Sequence, residues 1–458
     1  MSPRRHLHLP ATAIIVVVAL GACSSGLERP ALPQPGDEAT FSIELAPPDN
    51  SDKRIAWWQR ALADDLANAV ERALAANAEL RRLQAERDAA RARLDQARAN
   101  RGLTVDGFAN ASIEDQSGDG SDRQAVGIDA DLPIDINGAL GDRVRAAQRE
   151  LTAAEADLVQ NRSDLALDFA LAAIDDAEAT QRLILLNKQI DIAQELLRLI
   201  ELRFTQGLTS SVDVLQQRDQ LAGLRQDIPV ANRDRRLAGN ALRRVASTTP
   251  DQELPYTDDN LPTIVSTFPP LQPVDLLDER ADLRAQRARL EAADARFAAA
   301  LADRWPTLSL SGSAIARTVS GDFERIVSAA IAAALTLFDS GSKHAIAAER
   351  RADLVAAGER YLRDWIEIVL GIDDLLHEEA SLRQRIELSL QRLQTAKALL
   401  DATQRRYRRG VSDYLPVLEA LRSLQQQQRD HLALQAELAR TRLRLHHALG
   451  SPQPQEPT

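Results

Sequence analysis

The chain is written twice. Arg203-Phe204-Thr205-Gln206-Gly207-Leu208-Thr209 recurs as Arg406-Tyr407-Arg408-Arg409-Gly410-Val411-Ser412, an offset of 203 residues (406 − 203). The same offset carries Val214-Leu215 onto Val417-Leu418, Leu221 onto Leu424, Leu80-Arg81 onto Leu283-Arg284 and Arg101 onto Arg304. A spacing held from Leu80 to Leu221 without slippage means that whatever one copy builds, the other must build again.

Each copy carries a heptad seam that leads into its glycine. In the first it is Leu183, Leu186, Ile190, Ala193, Leu197, Ile200 and Phe204; in the second it is Ile386, Ser389, Leu393, Ala396, Leu400, Thr403 and Tyr407. Steps alternating three and four lay one narrow stripe along a helix, which suits a coiled coil better than a broad globular face. The lengths then close. Residues 141–207 read as one helix of ~100 Å, and 211–247 (~55 Å) stacked on 276–303 (~42 Å) match it. In the other half 341–409 is long, while 412–449 and 64–101 are short. This predicts a cylinder of helices with a proline-rich belt at mid-height (Pro250, Pro255, Pro262, Pro269, Pro270, Pro273). The division that follows is repeat 1 over 61–247, a linker over 248–275, repeat 2 over 276–450 and a tail over 451–458.

Between the short and long helices of each copy the apolar period changes to two. Leu103, Val105, Gly107, Ala109, Ala111 and Ile113 share one face, as do Val126, Ile128, Ala130, Leu132, Ile134 and Ile136. The second copy has Leu308, Leu310, Gly312, Ala314 and Ala316, then Val327, Ala329, Ile331, Ala333, Leu335 and Leu337. Strands are expected at about 103–113, 125–136, 307–317 and 326–338, near the ~9–11 residues that a tilted membrane strand needs. The expected turns are Asp115 to Asp122 and Ser320 to Glu324. A soluble sheet with one wet face gives similar alternation, but the stretch from Ile326 to Phe338 offers no charge on either face. Four strands cannot close a barrel alone, and an open edge in lipid strands its backbone donors. The chain must therefore share its barrel with copies of itself, and three copies give 3 × 4 = 12 strands, an even number within the bacterial range. Pro133 removes one ladder bond. Asp106, Asn110, Glu114, Asp129 and Asp131 fall on the opposite faces and would line a polar lumen that favours cations.

The first thirty residues set the compartment. Arg4 and Arg5 precede an apolar run from Ala11 to Leu20, then Gly21, Ala22 and the sole cysteine, Cys23. That pattern is a secretory signal (1–22), too short to remain as a membrane helix. A thiol at the junction resembles the lipobox of bacterial lipoproteins, which implies acylation of Cys23 as the mature first residue, with 23–60 an extended arm from the lipid anchor; the alternative is an ordinary signal with a chance cysteine near its end. One cysteine allows no intrachain disulfide. Removing the two arginines of 1–22 from 56 basic and 67 acidic residues leaves the mature chain near −13 (54 − 67), which argues against a nucleic-acid partner.

These residues resemble the outer-membrane efflux proteins, the TolC/OprM/NodT-like family, over nearly the whole mature chain. The resemblance rests on Arg406-Tyr407-x-x-Gly410 with Leu418-Glu419-Ala420, its copy at Arg203-Phe204-x-x-Gly207, Trp57-Trp58, Arg304-Trp305-Pro306-x-Leu308 and the closing Ala448-Leu449-Gly450. It implies a mainly α fold with a small β part: a homotrimer with a twelve-stranded barrel and a helical tunnel. It also implies an exit duct in the outer membrane, docked to a periplasmic adaptor that links it to an inner-membrane pump, with substrate choice lying in the pump. Gly207 and Gly410 read as left-handed helix ends. The resemblance adds that Gly207, Leu208, Thr209 and Ser210, with Gly410, Val411 and Ser412, form the adaptor-contact tips. It further implies that Asp213 and Glu419 narrow the periplasmic mouth, although Pro416 stands where an acid is often found and Gln216 also departs from the pattern.

No catalytic, metal or cofactor site is expected. His377-Glu378-Glu379 lacks the second histidine of a zinc helix, His446-His447 has no companion ligand, and Ser311-Gly312-Ser313 is strand. The alternative to a duct is a lipid-anchored periplasmic coiled-coil adaptor or scaffold, against which the duplicated strand hairpins speak.

Overall fold

The computed structural model describes residues 27–36, 39–43, 55–116, 119–269, 271–319, 322–336 and 338–450. A short α1 (Trp57–Ala61) precedes α2 (Asp64–Ala76) and α3 (Ala78–Ala99). The hairpin β1 (Thr104–Gln116) and β2 (Asp119–Ile134) follows, then the long α4 (Ala139–Thr205) and its return α5 (Ser211–Val245). The second half repeats the order as α6 (Leu276–Glu279), α7 (Ala281–Ala302), β3 (Thr307–Val319), β4 (Asp322–Ala334), α8 (Ser342–Arg408) and α9 (Leu415–Ala448). Pairs α3/α7, β1/β3 and α4/α8 start and end 203 residues apart, for example 342 − 139 and 408 − 205.

α4 and α8 run 67 residues each, ~100 Å. Toward the strands α4 packs beside α3 and α7, and α7 beside α8; toward the tips α4 packs beside α5 and α9, and α9 beside α8. The long helices thus run the height of the molecule while short ones succeed each other beside them. The seam between α4 and α5 is apolar, with Leu186, Ala193, Leu221, Leu224 and Ala231 buried. Between α4 and α7 an ion-pair ladder replaces it in heptad steps: Arg143–Asp303 (2.6 Å), Glu150–Arg296 (2.7 Å) and Asp157–Arg289. The sign of the charge on α4 reverses at the first step, which fixes the register of the two helices.

Two helices expected to be continuous are broken. The stretch 64–101 parts at Asn77 (φ −69°, ψ 126°) and 276–303 at Arg280 (φ −92°, ψ 126°), again 203 apart. The Asn77 side chain accepts from Leu80 N (3.0 Å) and so caps α3 instead of extending α2. The bend lets α1 and α2 bury Trp57, Trp58, Leu66 and Val70 against Phe169, Ile174 and Leu242. In the second half Leu276 and Leu283 pack with Tyr361, Trp365, Ile372 and Leu445. The belt joins the two cores: Val265 N donates to Ala61 O (3.1 Å), and Trp365 Nε1 donates to Pro273 O (3.2 Å). α9 begins at Leu415 rather than 412 because Pro416, in the first turn, is set for a helix start and cannot sit deeper.

The strands reach further outward than expected. Only 117–118 and 320–321 separate the members of each hairpin, so most of the expected polar turns pair as strand. The ladder is made by backbone, and polar side chains at the barrel's outer end do not stop it. At the inner end β4 stops at Ala334, leaving Leu335 and Phe338 beyond it. Pro133 pairs with Ser309 of β3 but lies two residues past Asp131, the last residue of β2 with a β1 partner, so no bond to β1 is lost.

Candidate functional site

The four strands form one antiparallel sheet in the order β1-β2-β3-β4, so β1 and β4 are unpaired edges. Register assigns the faces. Asp106 lies opposite Asp129, which lies opposite Ser313, which lies opposite Ser328. One step inward the row is Thr104, Asp131, Ser311 and Ala330. Asn110 shares this polar face, and Glu114 lies at the same parity of β1. The other face reads Gly107, Ile128, Ala314 and Val327, then Val105, Ala130, Gly312 and Ala329. Val327 is 83% and Ile331 73% exposed in the single chain, an apolar surface with no protein to cover it. Trp305 and Phe338 flank the inner end and Phe323 the outer end, and Arg325 lies over the Phe323 ring (5.3 Å). Exposed aromatics at both ends of an apolar band are the placement that a membrane strand wall uses. None of the helices among the described residues is long and apolar enough to cross a membrane.

At the far end, Gly207 (φ 70°) and Gly410 (φ 72°) close α4 and α8 in the left-handed conformation that glycine adopts without penalty. Gly207 N donates to Phe204 O and Leu208 N to Arg203 O (both 2.9 Å); Gly410 N and Val411 N repeat this on Tyr407 O and Arg406 O (both 3.0 Å). Leu208 and Val411 project from the two turns, 61% and 65% exposed. Ser210 caps α5 by accepting from Asp213 N (3.2 Å), and Asp213 Oδ2 accepts from Ser210 N (3.1 Å) and Thr209 Oγ1 (2.5 Å). Burial works against Asp213's ionisation, but these bonds from Thr209 and Ser210 outweigh it and hold the carboxyl below its usual range. Ser412 Oγ donates to Asp413 O (3.3 Å). Glu419 is exposed on α9 between buried Leu418 and Ala420. The bonds of Asp213 go to Thr209 and Ser210, and Glu419 makes no side-chain hydrogen bond or ion pair among the described residues.

The two tips are tied to each other by residues outside that set. Arg203 lies over the Tyr407 ring (4.4 Å) and donates to Tyr407 O (3.3 Å). Tyr414, buried beside Tyr407, donates its hydroxyl to Gln217, whose Nε2 donates to Ala193 O (2.7 Å). Gln220 accepts from Arg422 (2.6 Å) and donates to Gln425 (2.9 Å). Exposed apolar residues surround the turns: Phe204 and Leu215, which the repeat already contains, and Leu202, Val212 and Leu415, which it did not flag. Val212 and Leu415 are 203 apart, so a residue kept apolar in both copies but outside the heptad seam would have pointed to them.

The N-terminal arm lies against α7 and α8. Leu27 and Leu32 pack with Phe297, Leu301 and Leu354. Arg351 Nε donates to Glu28 O (3.1 Å) and Arg29 pairs with Asp294 (2.6 Å). Leu32 and Pro33 occupy the space over Gly358, where a Cβ would come within 3.1 Å of Leu32. Ser42 N and Oγ donate to Asp373 Oδ1 (2.8 and 2.7 Å). The arm so descends α8 from near the strands toward the belt. Cys23 and the signal segment 1–22 lie outside the described residues.

The family model described as "Outer membrane efflux protein" matches residues 69–248 and again 273–451. Outer membrane protein OprJ of Pseudomonas aeruginosa is 28% identical over 439 residues, spanning 90% of this chain and 89% of its own length. Cation efflux system protein CusC of Escherichia coli is 26% identical over 437 residues, 89% of this chain and 91% of its own. The structure of the outer membrane protein VceC from Vibrio cholerae superposes with a TM-score of 0.78 at 26% identity, covering 86% of this chain and 98% of that one. Three copies of the chain close the barrel, and the molecule is a passive outer-membrane exit duct of a tripartite efflux or export system with a large periplasmic helical part. The chain belongs to the outer membrane efflux protein family.

Proposed function

We propose that this duct is held by acyl chains on Cys23, passes solutes through a lumen faced by the Asp106, Asp129 and Asp131 rows, and docks its adaptor at the two tips. The open sheet carries the reading of the lumen. With β1 and β4 unpaired and the two faces opposite in polarity, closure by neighbouring copies puts the apolar face on lipid and the acidic face on water. Acidic rows in a water-filled pore favour cations.

The arm supports lipidation. Leu27 packs against the cluster of Phe297 and Leu354, toward the strand end of α7, and Cys23 is four residues upstream (27 − 23). Four extended residues reach at most about 13 Å, and acyl chains on the thiol would hold the start of the arm at the inner leaflet. On this reading 1–22 is the signal, 23–60 the arm, 61–247 and 276–450 the repeats, 248–275 the belt and 451–458 the tail.

Gly207 to Ser210 and Gly410 to Ser412 serve as the adaptor-contact tips, since Leu208 and Val411 present apolar surface that a helical hairpin would cover. Asp213 and Glu419 narrow the mouth as rings of three. Purified protein is expected to have a trimer's mass in detergent and to give cation-selective conductance in a planar bilayer. A monomer without ion flux would overturn the reading, and a wild-type lipid adduct carried unchanged by Cys23→Ser would remove the anchor.

A further inference from the structure

The two tips share a backbone and differ in charge. At the end of α8, Arg405, Arg406, Arg408 and Arg409 flank Tyr407; the residues 203 earlier are Leu202, Arg203, Thr205 and Gln206. Tyr407 takes the buried side, and at 3.6 residues per turn the four arginines cover the remaining directions. All four are exposed, and none has an ion pair or side-chain hydrogen bond among the described residues. By contrast Arg203, at the first tip, is engaged with the Tyr407 ring and carbonyl. The neighbouring acids Asp401 and Asp413 are exposed and leave the arginines in excess, since 401–413 holds four arginines against two aspartates.

A helix C-terminus favours a cation only weakly, and only within its last turn. It does not account for four on a chain whose net charge is −11. Left alone, they repel one another at the end of a helix. We infer that the second tip is an anion-docking head: the segment seated on it is a helical hairpin of the periplasmic adaptor whose turn carries carboxylates. The first tip, where Leu202, Phe204, Leu208, Val212 and Leu215 are exposed, takes an apolar hairpin face instead. One trimer then offers two kinds of seat in alternation, three basic and three apolar. Guanidinium forks match carboxylates with two parallel bonds and stay charged at any periplasmic pH. This rests on the tips being the docking surface and adds the chemistry of the occupant.

The test uses the trimer in lipid nanodiscs and two synthetic helical hairpins, identical except for four Glu or four Gln at the turn. Association is followed by surface biosensor at about 50 mM and about 300 mM NaCl. The Glu hairpin is expected to associate about tenfold faster at low salt, with the advantage lost at high salt and in the Arg405→Gln/Arg408→Gln/Arg409→Gln trimer. Equal rates for the two hairpins overturn the charge assignment while leaving tip docking in place. An advantage that survives the triple substitution, or retention of the trimer on insoluble peptidoglycan in preference to the Glu hairpin, overturns it as well. Native mass of the triple variant establishes that it still assembles, so a lost rate is read at the tip.

Discussion

Asn77 and Arg280 hold the same place in the two repeats and make the same bond with different chemistry. Each breaks its helix, and each donates to the last carbonyl of the returning helix: Asn77 Nδ2 to Val245 O and Arg280 Nη1 to Ala448 O, both 2.5 Å. The acceptors are themselves 203 apart (448 − 245). The amide also caps α3, whereas the guanidinium is held by Asp282 (3.0 and 2.6 Å). These ties clamp the strand-side and tip-side helices at the belt.

Asn77→Ala removes a cap and strands a buried carbonyl, so a loss of about 2 kcal/mol is expected. Asn77→Asp keeps the cap acceptor but sets a carboxylate against the carbonyl, and should cost at least as much. Denaturant unfolding of the two variants checks this. If Asn77→Asp proved as stable as wild type, the cap alone would matter and the clamp would not.

A second pair of equivalent positions has diverged. Glu379, buried, pairs with Arg442 (3.0 and 2.9 Å). Its counterpart Asp176 is also buried, but the residue matching Arg442 is Gly239 (442 − 203), and Asp176 Oδ1 has no hydrogen-bond partner among the described residues. Burial raises the Asp176 pKa, opposed by Arg235 and Arg243 and assisted by Asp259. A carboxyl raised in the folded state favours the protonated form, so its cost is absent below the ordinary carboxylate value and grows as pH rises through the raised one. Asp176→Asn is therefore expected to stabilise the protein at pH 7 and to change nothing near pH 3. Arg442→Met, which leaves a buried charge unpaired, should cost about 3–5 kcal/mol. Melting curves at the two pH values decide it: an Asp176→Asn gain that is the same at both would refute the titration.

The offset, the seams and the length match carried most of the architecture because they are local patterns repeated twice, each copy checking the other. The helix breaks were not legible. Asn77 and Arg280 share no side-chain type, and what stops the helix is a carbonyl 168 residues away in each case. Strand ends were set by pairing partners and not by the polarity of Asp115 to Asp122 or Ser320 to Glu324. The partners of the His446-His447 pair were not legible in sequence. Folded, His446 bonds Val265 O (2.9 Å) and burial pushes its pKa down to about 4, while His447 meets Asp164 (2.8 Å) and the Trp57 ring. At the tips the glycines and turn residues were legible from the motif; the Tyr414–Gln217 and Gln220–Gln425 ties were not, because they join helices from different repeats.

The sheet's two faces predict opposite tolerance to charge. Val327→Lys puts an ammonium on the apolar face and should cost about 2–4 kcal/mol of barrel stability if it lies near the bilayer middle. Ser313→Lys, one residue along the strand pair on the polar face, should leave folding intact and lower cation selectivity. Heat-modifiability on gels and reversal potentials read the two effects. A Ser313→Lys barrel that fails to fold while Val327→Lys folds would invert the facial assignment.

The mouth can be tested without disturbing the turn that holds it. Asp213 has two duties on this account, the α5 cap and the ring, and an alanine there would lose both. Asn keeps an acceptor for Ser210 N and Thr209 Oγ1, so Asp213→Asn with Glu419→Gln removes six negative charges from the trimer (3 × 2) with little change in shape. Because the bonds from Thr209 and Ser210 outweigh burial and lower the Asp213 pKa, its charge persists as pH falls through the usual carboxylate range. The stability it lends is present above the ordinary value and lost only as pH falls through the lowered one. The wild-type mouth should consequently remain cation-selective at pH 5, and the double variant should conduct more and select less at both pH 5 and pH 7. An unchanged conductance, with an unchanged melting temperature to show the cap intact, would reject these acids as the constriction and leave closure to the buried Tyr414–Gln217 tie.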